Sequence, residues 1–383
     1  MIHRLSGCYN NHFFYIHTYI ILVKYMITIS VCMIVKNEED VLGRALKSVQ
    51  GIADEIIIVD TGSTDSTKEI ASSYTNKIYD FEWCDDFSKA RNYSFSKATK
   101  DYCMWLDADD VILEEDQKEF MKLKETLSLD TSVVMMRYNT HFDNNGKPIF
   151  TYYRERLLKR KDQFYWEGFV HEVISPRGKV IYSDIAITHK KLKAANPHRN
   201  LMIFKNKLKD GVIFSPREMF YYARELYYHE YYDEAISEFK RFLNTHQGWR
   251  ENNISACQFL GYCYYQKNDM QQAVSWLLNS LCYDVPRAEV CCDLGQYFYE
   301  LKCYEQAIFW YATALSCQRN DESGAFISPD CYDYIPYMQL CLCYDAIKDY
   351  KTAKFYNDMA GQCKPNDPSY LHNKHYFEKI NEK

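Results

Sequence analysis

The stretch Tyr102-Cys103-Met104-Trp105-Leu106-Asp107-Ala108-Asp109-Asp110 decides how this chain is read. A short apolar run ends abruptly in carboxylates. Such a run, bounded by charge, predicts a central strand of a parallel sheet, and ligands of open α/β sheets gather beyond the carboxyl ends of these strands. Asp107, Asp109 and Asp110 would then set hard oxygen donors where a divalent cation, Mg2+ or Mn2+, neutralises phosphates. Taken alone, Asp-x-Asp also fits a solvated acidic loop, so the flanking chain has to decide.

Upstream, Thr28 to Val35 is apolar and β-branched, and Lys36-Asn37-Glu38-Glu39 breaks it before a helical pattern of Val41, Leu42, Ala45, Leu46 and Val49. Glu55 to Val59 predicts a second buried strand, ending at Asp60 and followed by Thr61-Gly62-Ser63-Thr64-Asp65. Ser66 with Glu69 has the capping-box spacing that opens a helix. A short strand at Lys77 to Asp80 and a helix carrying Phe87, Ala90, Tyr93, Ser94 and Ala98 lead back to Tyr102. Strands and helices alternating on short connections predict parallel βαβ units. Asp60 could accept a hydrogen bond from a base N–H or a ribose hydroxyl, and Lys36 or Arg91 could face phosphates. Neither a Gly-x-x-x-x-Gly-Lys loop nor Gly-x-Gly-x-x-Gly occurs, which disfavours P-loop and dinucleotide-binding versions of this architecture.

Four motifs stand in order over about eighty residues: Val35-Lys36-Asn37-Glu38-Glu39, Asp54 to Asp65, Ala90-Arg91-Asn92 and Leu106-Asp107-Ala108-Asp109-Asp110. Together they resemble the nucleotide-binding half of family 2 glycosyltransferases of the GT-A fold. The resemblance implies a nucleotide-diphosphate sugar donor, a uridine-diphosphate sugar above all, met by Lys36, Asn37, Glu38, Asp60, Arg91, Asn92 and Asp107. In it Asp60 contacts the base, Arg91 and Asn92 lie near the ribose and pyrophosphate, and Asp107 and Asp109 hold the ribose and a metal on the diphosphate.

From Ser132 to Arg177 the pattern changes to short strands, expected at Val133 to Tyr138, Ile149 to Arg156 and Phe164 to Val170. Within Trp166-Glu167-Gly168-Phe169-Val170-His171-Glu172, the residues Glu167, His171 and Glu172 are candidates for the base that an inverting sugar transfer needs. If this segment is a strand, Glu167 and His171 share a face and Glu172 points the other way. Ile185 to His189 is another apolar run ending in a polar group, and His189 resembles the late histidine that completes the metal site with Asp109 in some GT-A enzymes. Lys190-Lys191 departs from the small or aromatic residues that follow it there. The whole layout, with its helical tail, is similar to the bacteriocin peptide S-glycosyltransferases.

After Ser215 the strand pattern stops. Ala223, Gly261, Gly295 and Cys341 each precede an alanine by the same interval, at Ala235, Ala273, Ala307 and Ala353. Small residues in these registers resemble tetratricopeptide repeats, with an extended loop expected at 320–329. The expected organisation is therefore an N-terminal extension at 1–25, not native or disordered, an α/β GT-A domain at 26–200, and an all-α tetratricopeptide-like domain at 215–383. The repeats would recognise an acceptor peptide, form a homodimer, or merely extend the catalytic core.

Composition bounds the alternatives. With 46 basic against 52 acidic residues, no broad electrostatic footprint for nucleic acid exists. Phe13 to Val23 is too short to span a bilayer, so no integral membrane segment is expected. The cysteines number 15, an odd count with no Cys-x-x-Cys pair, and lie mostly in apolar helical patterns. They read as reduced thiols of a cytoplasmic protein, and neither Cys291-Cys292 nor Cys341 with Cys343 matches a common zinc loop. The expected function is hexosyl transfer to a peptide, protein or glycan with Mn2+ or Mg2+. Its rivals are transfer to a lipopolysaccharide or lipid-linked acceptor, and a repeat-based adaptor with a decayed catalytic half.

Overall fold

The computed structural model describes residues 26–142, 146, 148–192, 196–321, 323–325 and 327–381. The extension expected at 1–25 lies outside them. The first half builds one mixed sheet from β1 (Ile29–Val35), β2 (Glu55–Asp60), β3 (Ile78–Asp80), β4 (Tyr102–Trp105), β5 (Asp110–Val111), β6 (Thr131–Phe142), β7 (Pro148–Lys159) and β8 (Lys179–His189). Their order is β3-β2-β1-β4-β7-β6-β8-β5. The first four strands are parallel, while β7 runs antiparallel to β4. Helices α1 (Leu42–Val49), α2 (Thr67–Ser72), α3 (Phe87–Ser96) and α4 (Glu114–Thr126) pack on the sheet.

Alternation along the strands sorts their side chains between two layers. Ile29, Val31 and Met33 of β1, with Tyr102 and Met104 of β4, join Leu42, Leu46 and Phe120 in the main core. Cys32, Ile57 and Cys103 point the other way, against Ala98 and Phe95. The buried carboxylate at the start of β2, Glu55, is matched by Lys77, Ser30 and Thr99. Ser66 and Glu69 do not form the expected box: Ser66 makes no side-chain cap. Asp65 takes that role one residue earlier, accepting from the Thr67 amide at 3.0 Å.

The helical half comprises α5 (Arg199–Lys209), α6 (Pro216–Tyr228), α7 (Tyr232–Asn244), α8 (Arg250–Gln266), α9 (Met270–Asn279), α10 (Ala288–Glu300), α11 (Tyr304–Ser316), α12 (Tyr334–Ala346), α13 (Tyr350–Cys363) and α14 (Pro368–Asn381). Helices α6 to α13 pack as four successive pairs. The small residues expected at the crossings are there and fully buried, from Ala223 with Ala235 to Cys341 with Ala353. The reason is distance: a Cβ on Gly295 would stand 2.7 Å from the Tyr311 ring, and one on Gly261 would stand 3.2 Å from the Ala273 carbonyl oxygen. Residues 322 and 326 of the expected 320–329 loop lie outside the described residues.

Helix α5 crosses the expected gap between the domains. Its Leu201, Ile203 and Phe204 pack with Phe220, Ala223 and Leu226 of α6, and Phe169 and Val170 of the α/β half belong to the same core. Trp83 and Phe87 pack against it from the sheet side. The two halves therefore share a hydrophobic core rather than meeting across a linker. Among the described residues, no helix is long and apolar enough to cross a membrane.

Candidate active site

The chain leaves β1 for β2 on one side and returns through β4 on the other, so a crevice opens beyond their carboxyl ends. A cleft of about 580 Å³ occupies that place. Lys36, Asn37, Glu38, Arg91, Asp107, Asp109, His171, Glu172 and His189 all line it. These nine, up to 153 positions apart in sequence, are brought together by the strand order.

Backbone pairing assembles the acidic wall. Asp110 and Val111 pair antiparallel with His189 and Thr188, and the Lys190 amide donates to the Asp109 carbonyl oxygen at 2.9 Å. His189 is thus fixed beside Asp109, with Nδ1 at 3.5 Å from Oδ1. Asp110 is fully buried, and its Oδ1 accepts from the Tyr138 hydroxyl at 2.9 Å and lies 3.1 Å from His189 Nδ1. Its Oδ2 faces the buried guanidinium of Arg156 at 3.3 Å. With Nδ1 engaged, Nε2 of His189 is the nitrogen left for a ligand.

Burial raises the Asp109 carboxyl above its ordinary range, and Asp107 and Asp110 add to this against the pull of His189. Asp109, Asp110 and His189 each offer an atom within 4.8 Å of the others. Carboxylates crowded beside an imidazole, a donor set of oxygens and one nitrogen, fit Mn2+ or Mg2+. Among the described residues no other group of this kind occurs.

Arg91 does not face phosphates as an uncommitted cation. Its Nη2 donates to Asp107 at 2.7 Å and its Nε to Glu172 at 2.6 Å, while its guanidinium lies over the Trp105 and Trp166 rings at 5.1 and 4.8 Å. Burial works against its charge, but Asp107 and Glu172 outweigh burial and keep it protonated. Burial likewise pushes Asp107 up, yet Arg91 holds it below the ordinary carboxylate range. Arg91 therefore ties the β4 end to the segment around Glu172.

Three expected site residues, Asn92, Glu167 and Asp60, are absent from the lining of the cleft. Both polar atoms of the Asn92 side chain are spent on the Trp166 backbone, at 2.9 and 2.7 Å, and Asn92 lines a separate hollow of about 380 Å³ with Phe95 and Phe164. Glu167 is exposed and outside the cleft. The segment expected as a strand at Phe164 to Val170 is instead a turn closed by Glu167 and Val173, whose amides and carbonyls exchange hydrogen bonds at 2.9 and 3.0 Å. Gly168 and His171 adopt positive φ, +90° and +54°. Period-two alternation fails there, so His171 and Glu172 both reach the cleft while Glu167 does not.

Asp60 is buried, and its Oδ1 accepts from the Gly62 and Ser63 amides at 2.9 and 2.8 Å. Its Oδ2 has no partner among the described residues, although the next residue, Thr61, lines the cleft. A buried carboxylate oxygen left open costs stability unless a ligand donor meets it. Asn37 holds its loop to the next one, accepting from the Thr64 amide at 2.8 Å. Sequence reasoning missed Tyr138, Arg154 and Arg156. All lie on β6 and β7, and Arg154 and Arg156 stack on Trp105 at 4.8 and 3.6 Å. Their alternating arginines were the available signal.

Residues 30–183 match the family model of glycosyl transferase family 2. The matched stretch runs from β1 to the first five residues of β8. The chain is also 44% identical over 90 residues to a TPR repeat-containing protein of Synechococcus elongatus, covering 24% of this chain and 22% of that one. It is 26% identical over 262 residues to the SPbeta prophage-derived glycosyltransferase SunS of Bacillus subtilis, covering 63% of this chain and 60% of SunS. The chain therefore spans less than two thirds of either relative. Among solved structures, YrrB, a TPR protein with an unusual peptide-binding site, aligns at a TM-score of 0.35 with 15% identity, over 47% of this chain and 84% of its own. That likeness is too slight to bear on the site.

Proposed function

We propose that this chain is a metal-dependent glycosyltransferase that moves a hexosyl group from a nucleotide-diphosphate sugar, a uridine-diphosphate sugar in the first instance, to a peptide, protein or glycan. The observation that carries the proposal is the convergence of Asp107, Asp109, His189, Arg91, His171 and Glu172 on one cleft at the switch point of a family 2 domain. Asp60 Oδ2 is the acceptor for a base N–H, and Asp107, held ionised by Arg91, suits a ribose hydroxyl.

Asp109 and His189 would hold the divalent cation, with Asp110 orienting His189. When bound, such an ion supplies positive charge to the diphosphate leaving group. In an inverting displacement the acceptor's hydroxyl or thiol attacks the anomeric carbon, the bond from that carbon to the β-phosphate oxygen breaks, and the acceptor's proton passes to a base. His171 and Glu172 stand in the cleft for that task. The free thiols of the helical half suit a reducing, cytoplasmic setting.

A panel of nucleotide sugars, followed by mass spectrometry with and without Mn2+, tests the proposal. Metal-dependent release of a nucleoside diphosphate from one donor is the expected result. No release from any donor with peptide, glycan or lipid-linked acceptors would contradict it.

A further inference from the structure

The base candidates are not equal, and the helical half makes the difference. Glu172 is already committed to the buried guanidinium of Arg91 at 2.6 Å. Its Oε1 therefore serves to hold Arg91. His171 has a different partner: its Nε2 lies 2.9 Å from Oε1 of Glu225, a buried carboxylate on α6, more than fifty positions away in sequence. Glu225 also accepts from the Asn200 side chain at 3.2 Å. The imidazole stacks on Tyr221 of the same helix at 4.5 Å between centroids, 21° from parallel. Arg217 donates to the His171 carbonyl oxygen at 2.8 Å, which helps hold the positive φ of this residue.

We infer that Glu225 is a positioning residue that makes His171 the base of the reaction proposed above, so that the helical half completes the active site. An ionised carboxylate only accepts hydrogen bonds, so the hydrogen shared by the pair sits on Nε2. Nδ1 then keeps its lone pair for the acceptor's proton. The arrangement follows the logic of a carboxylate that fixes the tautomer of a catalytic histidine and steadies the imidazolium once it forms.

The groups around the ring are consistent with a neutral imidazole at rest. Burial lowers the proton affinity of His171, the guanidinium of Arg224 lowers it further, and Glu225 and Glu172 oppose both. Arg224 Nη2 stands 3.5 Å from each ring nitrogen. Glu225 itself stays ionised: burial pushes it up, but the bonds from His171 and Asn200 and the charge of Arg224 bring it below its usual range.

This inference rests on the transfer reaction, and the test separates the two. The imidazole nitrogens of the full chain, labelled with 15N and saturated with uridine diphosphate and Mg2+, report the tautomer directly, with His171→Gln identifying the signal. The expected spectrum has hydrogen on Nε2 and a bare Nδ1 near pH 7.5. Hydrogen on Nδ1 would overturn the inference whether or not any turnover is found. In turnover, Glu225→Gln lets the amide donate to Nε2 and should lower kcat by at least about tenfold with donor KM unchanged. Glu225→Asp should recover part of the loss, and the acid limb of the pH profile should move between these variants. Unchanged kcat in Glu225→Gln, or a pure KM effect, would assign the pair to folding alone. If no donor is turned over, the transfer reaction fails while the tautomer still decides the pairing.

Discussion

Two acids, Glu55 in the α/β half and Asp293 in the helical half, are satisfied in opposite ways. In the α/β half, buried charge meets opposite charge: Glu55 faces Lys77, Asp110 faces Arg156, and Arg91 joins Asp107 to Glu172. In the helical half, Asp293 of α10 is met by neutral donors, the Tyr262 hydroxyl at 2.7 Å and the Gln258 amide at 3.2 Å. Opposite charge keeps a buried acid ionised, whereas neutral donors only soften its desolvation. Glu55 is held at about 2 although burial pushes it up, because Lys77, Ser30 and Thr99 all bond its charged form. Asp293 rises to about 6, since burial prevails over its neutral partners.

The comparison is broken most severely at Asp109. Asp109→Ala should lower nucleoside diphosphate release by about a hundredfold or more, as expected for loss of a metal-ligating charge, while the circular dichroism spectrum stays that of the parent. Turnover at the parental rate would remove the metal from the account. Next in size is Arg156, whose guanidinium lies over Trp105 and Tyr138 and faces Asp110. Arg156→Ala leaves Oδ2 of Asp110 buried without its guanidinium and should cost about 3–5 kcal/mol in urea unfolding of the α/β half. A cost below about 1 kcal/mol would mean that the pair adds little beyond a surface bridge.

Packing in the helical half should respond to volume instead. Gly295→Ala drives a Cβ to 2.7 Å from the Tyr311 ring and should cost about 1–3 kcal/mol. Gly51→Ala, with open space at its Cβ, is the comparison. Equal thermal midpoints for the two variants would show that the helix pair yields freely.

The smallest effects concern acid, and their signs differ. Glu55 has its folded pKa depressed, so its contribution is present above the ordinary carboxylate range and is lost as pH falls from about 4.3 toward 2. Asp293 has its folded pKa raised, so the folded state binds the proton more tightly and gains stability as pH falls from about 6 toward 4. Asp293→Asn should raise the thermal midpoint at pH 7 by a few degrees, on the order of 2–8 °C, and should lose that advantage near pH 4. A variant less stable than the parent at pH 7 would contradict the neutral-donor account.

Much of this was legible in the chain. Strands β1 to β4 follow from apolar runs closed by charge, and Asp107, Asp109 and His189 could be placed because each ends such a run. The alanine and glycine registers predicted the helix crossings because only small residues fit where two helices touch. The turn around His171 was not legible. Its apolar and charged residues mimic strand alternation, and nothing local announces a left-handed histidine. Asn92 misled for a related reason: an amide beside an arginine looks like a ligand group until the Trp166 backbone claims it. Arg156 and Glu225 were missed because their partners, Asp110 and His171, are far away in sequence and meet them only through the assembled fold.

The most direct measurement is a calorimetric titration of uridine diphosphate into the full chain, with and without Mn2+, for the parent and Asp109→Ala. The account predicts binding to the parent that tightens at least about tenfold with the metal, and a variant on which the metal has no effect. Equal affinities in all four titrations would contradict a metal-assisted nucleotide site at the end of Tyr102–Trp105.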